Sequence, residues 1–367
     1  MYIDLNVYCL KYIFYILKMK TLILYVFHVF NNRVKYFIEN GIFKSENYTF
    51  LIIINGNNED IEDILDLPEY VKILKRDNIG FDFGGWSDGL LNDDLYKNYD
   101  NFIFINSSCF GPFTPSYYSG NWCDIFINNI TDDIKLFGTT INNQNSTINL
   151  ITNPVTTSHI KSWVFCVDKL VLEFLIDKGI FSKKYEKTHL DTINNKEVLM
   201  SREIIKNGWN IGSLMKYYQN VDFRFKDKQP SDYDLTFFND VAHDMCYFNS
   251  NLHPYEVVFV KANRNINKEW LDVYLNKSVL KQKVIKAVYG NDGKYIDVTN
   301  IINSFVGMTF KIENKFFGDP CLGVIKNLII LDFNNDILIN TEDNFYNENY
   351  IKNSKTKSKY IDIVLTC

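Results

Sequence analysis

Three unbroken apolar runs constrain this chain more than any other feature. Residues 21–30 (TLILYVFHVF), 49–55 (TFLIIIN) and 100–106 (DNFIFIN) lack the polar alternation of a strand with one face in water. Runs of this kind belong to strands buried on both faces, which requires helices on each side of the sheet. Helical patterns do separate them. Residues 31–40 carry Val34, Phe37 and Ile38 at helical spacing and stop at Gly41, and 61–67 read as a short amphipathic helix closed by Pro68. Residues 71–75 supply a third strand, so 100–106 is the fourth. Further strands are expected at 134–140, 162–167 and 257–261. Helices are expected at 169–178 and 197–207, the second capped by Asn207-Gly208. The order predicts an α/β fold, with a mostly parallel sheet flanked by helices.

The style changes after residue 268. Runs at 284–290, 295–298, 309–313 and 325–333 read as strands between Gly- and Asn-rich turns, predicting a small β-sandwich-like domain. The Asn-rich stretch 340–353 reads as loop. The expected organisation is an N-terminal extension (1–20), an α/β domain (21–268) and a β-rich accessory domain (281–367). Residues 12–30 are apolar, but Lys18 and Lys20 divide them into halves shorter than the roughly 20 residues that span a bilayer. No small-residue cleavage site follows. We therefore expect no stable membrane span, with residues before Met19 outside the fold; a signal anchor is the alternative.

Charge and cysteine usage narrow the function classes. The net charge is −5 and no Lys/Arg stripe occurs, which argues against a nucleic-acid partner. The seven cysteines are odd in number and contain no C-x-x-C pair, which argues against a zinc site or a disulfide framework. They suit a reducing, cytoplasmic setting. The 29 Phe and 24 Tyr, with abundant Ile, Asn and Lys, read as the coding bias of an AT-rich genome rather than as an aromatic surface.

Two segments carry candidate chemistry. The third strand runs into Arg76-Asp77-Asn78-Ile79-Gly80-Phe81-Asp82-Phe83-Gly84-Gly85-Trp86. Its glycines permit tight turns or close backbone approach, and Asp82 is a carboxylate in an expected loop at the carboxyl edge of the sheet. The G-K-[ST] ending of a phosphate-binding P-loop is absent. The fourth strand ends Asn106-Ser107-Ser108-Cys109-Phe110-Gly111-Pro112 and would deliver small polar groups to the same crevice.

Together these segments resemble a eukaryotic and giant-virus branch related to the rhamnan synthesis protein F glycosyltransferases, in which an N-x-G-x-D-x-G-x-W loop precedes a strand ending N-[DS]-S-x-x-G-P. The likeness continues in order through Trp122, Lys135–Asn142, His159–Ser162, Ser201–Leu214 and Leu252–Lys261, covering roughly 21–264. It implies a GT-A-like fold, a nucleotide-sugar donor, a glycan or glycoprotein acceptor and a cytoplasmic enzyme, in the host cytoplasm or virus factory if the source is viral. It implies donor binding by Asn78, Gly80, Asp82, Gly84, Asn106, Ser107 and Ser108. Segment 197–202 is loosely similar to the E-D-x-D-L-S-x-R segment of inverting GT-A enzymes, which makes Glu197 the candidate general base and Asp191 the reserve. His253, His159 and Arg264 are further candidates. The C-terminal residues Ala287–Gly290, Ile296–Thr299, Phe317–Pro320 and Lys326–Leu328 resemble a small β-domain found at the C-termini of some DnaJ-type and giant-virus proteins.

One departure stands out. Many GT-A enzymes place D-x-D at the end of the fourth strand to hold Mn²⁺ or Mg²⁺ against the donor diphosphate. Here that position reads Asn106-Ser107-Ser108. Three readings follow: a metal held by Asp82 with His253, metal-independent donor binding, or a noncatalytic carbohydrate-binding or assembly protein that kept the fold. A Rossmann-type methyltransferase or nucleotide-binding enzyme is disfavoured, because no G-x-G-x-x-G follows the first strand.

Overall fold

The computed structural model of the chain describes residues 19–56, 67–115, 117–142, 158–225, 240–263, 271, 284–291, 293–305, 311–331 and 337–342. The helix expected at 61–67 (save Leu67), the residues before Met19 and Arg264 lie outside them. The chain divides into two compact units, Met1–Thr114 with Gly120–Ile266, and Pro115–Ser119 with Asn267–Cys367.

The first unit contains strands β1 (Thr21–Phe27), β2 (Tyr48–Asn55), β3 (Lys72–Arg76), β4 (Asn101–Asn106), β5 (Cys109–Phe110), β6 (Ile134–Gly138), β7 (Ile141–Asn142), β8 (His159–Ile160), β9 (Val164–Asp168), β10 (Asn210–Ser213) and β11 (Val260–Lys261). Seven of them make one sheet in the order β10-β6-β9-β4-β1-β2-β3. All its pairings are parallel except those of β9, which runs against both β4 and β6. Two small antiparallel pairs, β5 with β11 and β7 with β8, lie outside it.

The apolar runs are buried on both faces. Every residue of β1 and of β4 is buried. On one face Tyr25 stacks on Phe37 of the Asn32–Gly41 helix with ring centroids 4.0 Å apart. On the other, Phe104 stacks between Phe165 at 4.7 Å and Phe181 at 4.9 Å. Each such side chain contributes roughly 1.5–3 kcal/mol by leaving water, so the burial demanded by these strands fixes where the helices go.

Several boundaries differ from expectation for local reasons. The 21–30 run leaves the sheet after Phe27, where His28 turns its Nδ1 to the Asn55 carbonyl at 2.8 Å. The 257–261 strand is cut to β11 because Pro254 opens a short helix, Pro254–Val257, and Val258 breaks it with φ 62°. The helix expected at 197–207 starts earlier, at His189–Thr192. It passes through a wide π-turn at Ile193–Val198 and ends as Leu199–Lys206 at the expected Asn207-Gly208 cap.

The largest revision concerns the glycine-rich segment. It is a loop only to Gly80; Phe81–Leu91 is a helix lying on β1 and β2. Helix propensity argues against this, and tertiary packing overrides it. Gly84 shows why: a Cβ there would stand 2.2 Å from the Ile79 carbonyl oxygen. The space is taken by the chain's own backbone, so this glycine allows the loop to fold over the helix start.

In the second unit, β12 (Lys286–Asn291), β13 (Lys294–Asp297), β14 (Asn327–Leu331) and β15 (Ile337–Thr341) form an antiparallel sheet, β13-β12-β14-β15, with helices at Thr299–Ser304 and Asn314–Phe317. The expected sandwich is thus a single four-stranded sheet among the described residues, with buried apolar side chains on each face. Of the strand expected at 309–313, the described part has Lys311 in a β-bridge, and 312–313 lead into a helix. Asn340, expected in loop, lies buried in β15.

Gly84→Ala is expected to lower stability by about 1–3 kcal/mol, because backbone rather than a flexible side chain must move. Urea denaturation would show the loss as a lower midpoint at unchanged slope.

Candidate functional site

The sheet has one point where its order reverses. From β1 the chain moves to β2 and β3 on one side, then returns to place β4 on the other side of β1. The carboxyl ends of β1 and β4 flank this reversal, the position at which α/β sheets take ligands. Asn106 stands there, as the last residue of β4.

Asn106 ties this edge together. Its Nδ2 donates to Asp82 Oδ2 at 2.8 Å, and its Oδ1 accepts from the Ser108 amide at 3.0 Å and from Ser108 Oγ. Its backbone N–H donates to the Trp163 carbonyl at 2.9 Å, while Ser107 N–H reaches the Val26 carbonyl at 3.0 Å. Arg33 Nε holds the Ser107 carbonyl at 2.7 Å. From β11, Lys261 Nζ donates to Ser108 Oγ at 2.7 Å and lies 5.1 Å from the centre of the Trp163 ring. Asp82 and the 106–108 tip thus meet, as the two sequence segments implied.

Asp82 is aimed by an unusual turn. Gly80 and Phe81 are consecutive residues in the left-handed region, with φ 74° and 56°. The phenylalanine conformation costs energy and needs external support. Asn55 Nδ2 supplies some, donating to the Phe81 carbonyl at 3.1 Å. Arg76 supplies more: it bonds Asp88 at 2.6 Å, Asn55 Oδ1 at 2.9 Å and the Ile79 carbonyl at 2.8 Å.

The entry of β9 brings a second carboxylate. Glu197, buried on the π-turn, accepts from Lys161 Nζ at 3.1 Å, from the Ser162 amide at 2.9 Å and from Ser162 Oγ. His159 Nε2 lies 3.7 Å away. Burial would raise its pKa, but these partners win, holding it at about 2. A carboxylate so engaged fixes Lys161 and Ser162; as a proton acceptor near neutrality it is weak. The general-base role expected of Glu197 therefore meets a physical obstacle. Asp82 behaves in the opposite way: burial raises its pKa, with Lys261 and the Asn106 bond pulling partly back. Burial likewise lowers that of Lys261 and pushes the Cys109 thiol up to about 12.

The donor set does not fit a divalent cation. Such an ion wants several hard oxygens, carboxylates above all. Here the Asp82 carboxylate takes up the Asn106 amide and lies in the field of an ammonium group, and among the described residues no three His, Cys, Asp or Glu converge. His253 sits at the N-cap of Pro254–Val257, its Nδ1 accepting from Tyr255 N–H at 3.2 Å. Asp191 is held by Thr188 Oγ1 at 2.6 Å, and His189 acts electrostatically on Asp82. Asn78 is exposed beside Gly56. Residues not singled out in sequence are Lys261, Arg33, Lys161 and Ser162. Lys261 left a signal, a lone cation closing the apolar run 257–261; Arg33 left none.

Fold and site together define an α/β protein with a cluster of polar and charged side chains at the carboxyl edge of a mostly parallel sheet. The chain belongs to the rhamnan synthesis protein F family, whose model matches residues 50–241. The match takes in Asp82, Asn106 and Glu197 and ends before Lys261. No curated protein matches the chain. Among the described residues no helix is long and apolar enough to cross a membrane.

Glu197 makes acid stability a test of this geometry. A depressed folded pKa stabilises above the ordinary value of 4.5, and that contribution is lost as pH falls toward about 2. Glu197→Gln is expected to cost about 1.5–3 kcal/mol at pH 7, by removing the charge-assisted bonds that the buried carboxylate accepts from Lys161 and Ser162. It should also flatten the loss of stability between those two pH values in a series of urea titrations.

Proposed function

We propose that this protein transfers a sugar from a nucleotide-sugar donor to a hydroxyl of a glycan or glycoprotein, as a GT-A-like glycosyltransferase. Family membership supports a role in glycan biosynthesis. The observation that carries the finer reading is the Asp82–Asn106 contact at the strand-order reversal. It puts a carboxylate, an amide and two hydroxyl-bearing residues where such sheets hold nucleotides.

In this reading Asn106, Ser107 and Ser108 hold the donor from the β4 side, and Gly80 and Asn78 border it from the β3 side. Asp82 is the carboxylate better suited to exchange a proton with the acceptor hydroxyl, because burial raises its pKa while the partners of Glu197 depress that one. Glu197 acts through others, keeping Lys161 and Ser162 in place at the crevice edge. The departure from D-x-D also motivates a second reading, a carbohydrate-binding protein without turnover.

The test is a panel of nucleotide-sugars incubated with the full chain, with and without oligosaccharide acceptors, reading nucleotide release and new glycan. We expect turnover with one donor, and a loss of about 100-fold or more in Asp82→Asn with donor binding retained. Binding of a nucleotide-sugar without transfer or hydrolysis would favour the second reading. Full activity in Asp82→Asn would remove Asp82 from the mechanism.

A further inference from the structure

A crevice for a nucleotide-sugar has to neutralise a diphosphate, and the D-x-D carboxylates that would recruit a metal ion for this are missing. In their place the sequence puts an amide. Asn106 Nδ2 donates to Asp82 at 2.8 Å; a carboxylate at 106 would set two negative groups against each other. The positive charge comes from elsewhere in the chain. Lys261 is carried in by β11, which pairs with β5 immediately after the 106–108 tip, in register Lys261 to Cys109. Its ammonium bonds Ser108 Oγ at 2.7 Å, lies near the Trp163 ring and acts on both Asp82 and Glu197.

We propose that Lys261 is the resident cation of this crevice, taking the charge of a diphosphate in place of a divalent metal ion. The inference rests on the crevice being a donor site. An ammonium has three donors; Ser108 takes one and leaves others for phosphate oxygens. Arg33 and Lys161 are further cations of the cluster, Arg33 bound to the Ser107 carbonyl and Lys161 to Glu197. With Lys261 they make three cations against Asp82 and Glu197, a net excess of positive charge for an anion to meet. Charge-assisted hydrogen bonds of this type are stronger than neutral ones, and a half-buried setting strengthens them further.

The experiment is calorimetric titration of the full chain with inorganic pyrophosphate, in EDTA and separately in Mn²⁺ or Mg²⁺. We expect binding in EDTA, roughly tenfold or more weaker in Lys261→Met and substantially recovered in Lys261→Arg. Binding that appears only with a divalent ion overturns the proposal, as does equal affinity in Lys261→Met or no binding in any condition. The wild-type comparison needs no variant, so a Lys261→Met protein that fails to fold leaves the test intact. Sugar transfer by the same preparation separates the two ideas. Turnover accompanied by metal-dependent pyrophosphate binding rejects Lys261 as the cation and leaves the glycosyltransferase reading standing.

Discussion

The side chain of Asn106 is the constraint on which the site depends. It stands buried as the last residue of β4, and it offers both a donor and an acceptor. A buried amide left unsatisfied costs about 1–3 kcal/mol, so both ends must find partners. The donor end draws in Asp82 from the Phe81–Leu91 helix, and the acceptor end folds Ser108 back over the strand. The Ser108 hydroxyl then meets Lys261. One amide thereby joins three distant stretches of chain, and no other side chain of similar size has the polarity to do so: Leu lacks both groups, and Asp lacks the donor.

Two carboxylates at one sheet edge end up with opposite characters through their surroundings alone. Glu197 is clasped by a lysine, a backbone amide and a hydroxyl and stays ionised down to strong acid. Asp82 accepts from one neutral amide, and desolvation dominates. Environments that drive paired acids apart in this way assign them different tasks. The fixed charge suits organising its neighbours; the adjustable one suits contact with something that gains or loses a proton.

The apolar runs at 21–30, 49–55 and 100–106 made the sheet legible, because only strands covered on both faces read that way. The polar tip at Asn106 and the acid at 82 were legible for a different reason: each interrupts an apolar context without a packing motive. What escaped was long-range. The direction of β9 depends on its partners β4 and β6, which no local pattern encodes. Lys261 stands 153 residues from the serine it bonds. The glycines at 80–85 were read as a loop because intrinsic propensity says so, whereas packing on the sheet selects a helix there. In sequence Glu197 reads as the first residue of a helix at 197–207; the π-turn ahead of that helix carries it inward instead. Strand β15 was masked by the asparagines around it, although Ile337, Leu338 and Ile339 alternate with the sheet.

The reversed strand has a bearing on how such a protein can change over evolutionary time. Six strands exit the sheet at the crevice, and β9 alone enters there. Lengthening an ordinary loop beyond an exit leaves the strand behind it in register. Lys161, Ser162 and Trp163 have no such slack, being the last residues before β9 begins, so an insertion between them and Val164 would shift them bodily along the edge. At its far end β9 passes directly into the Lys169–Asp177 helix, remote from the crevice. Changes in loop length at this edge should therefore collect beyond the exits of the other strands, while the short stretch leading into β9 keeps its length.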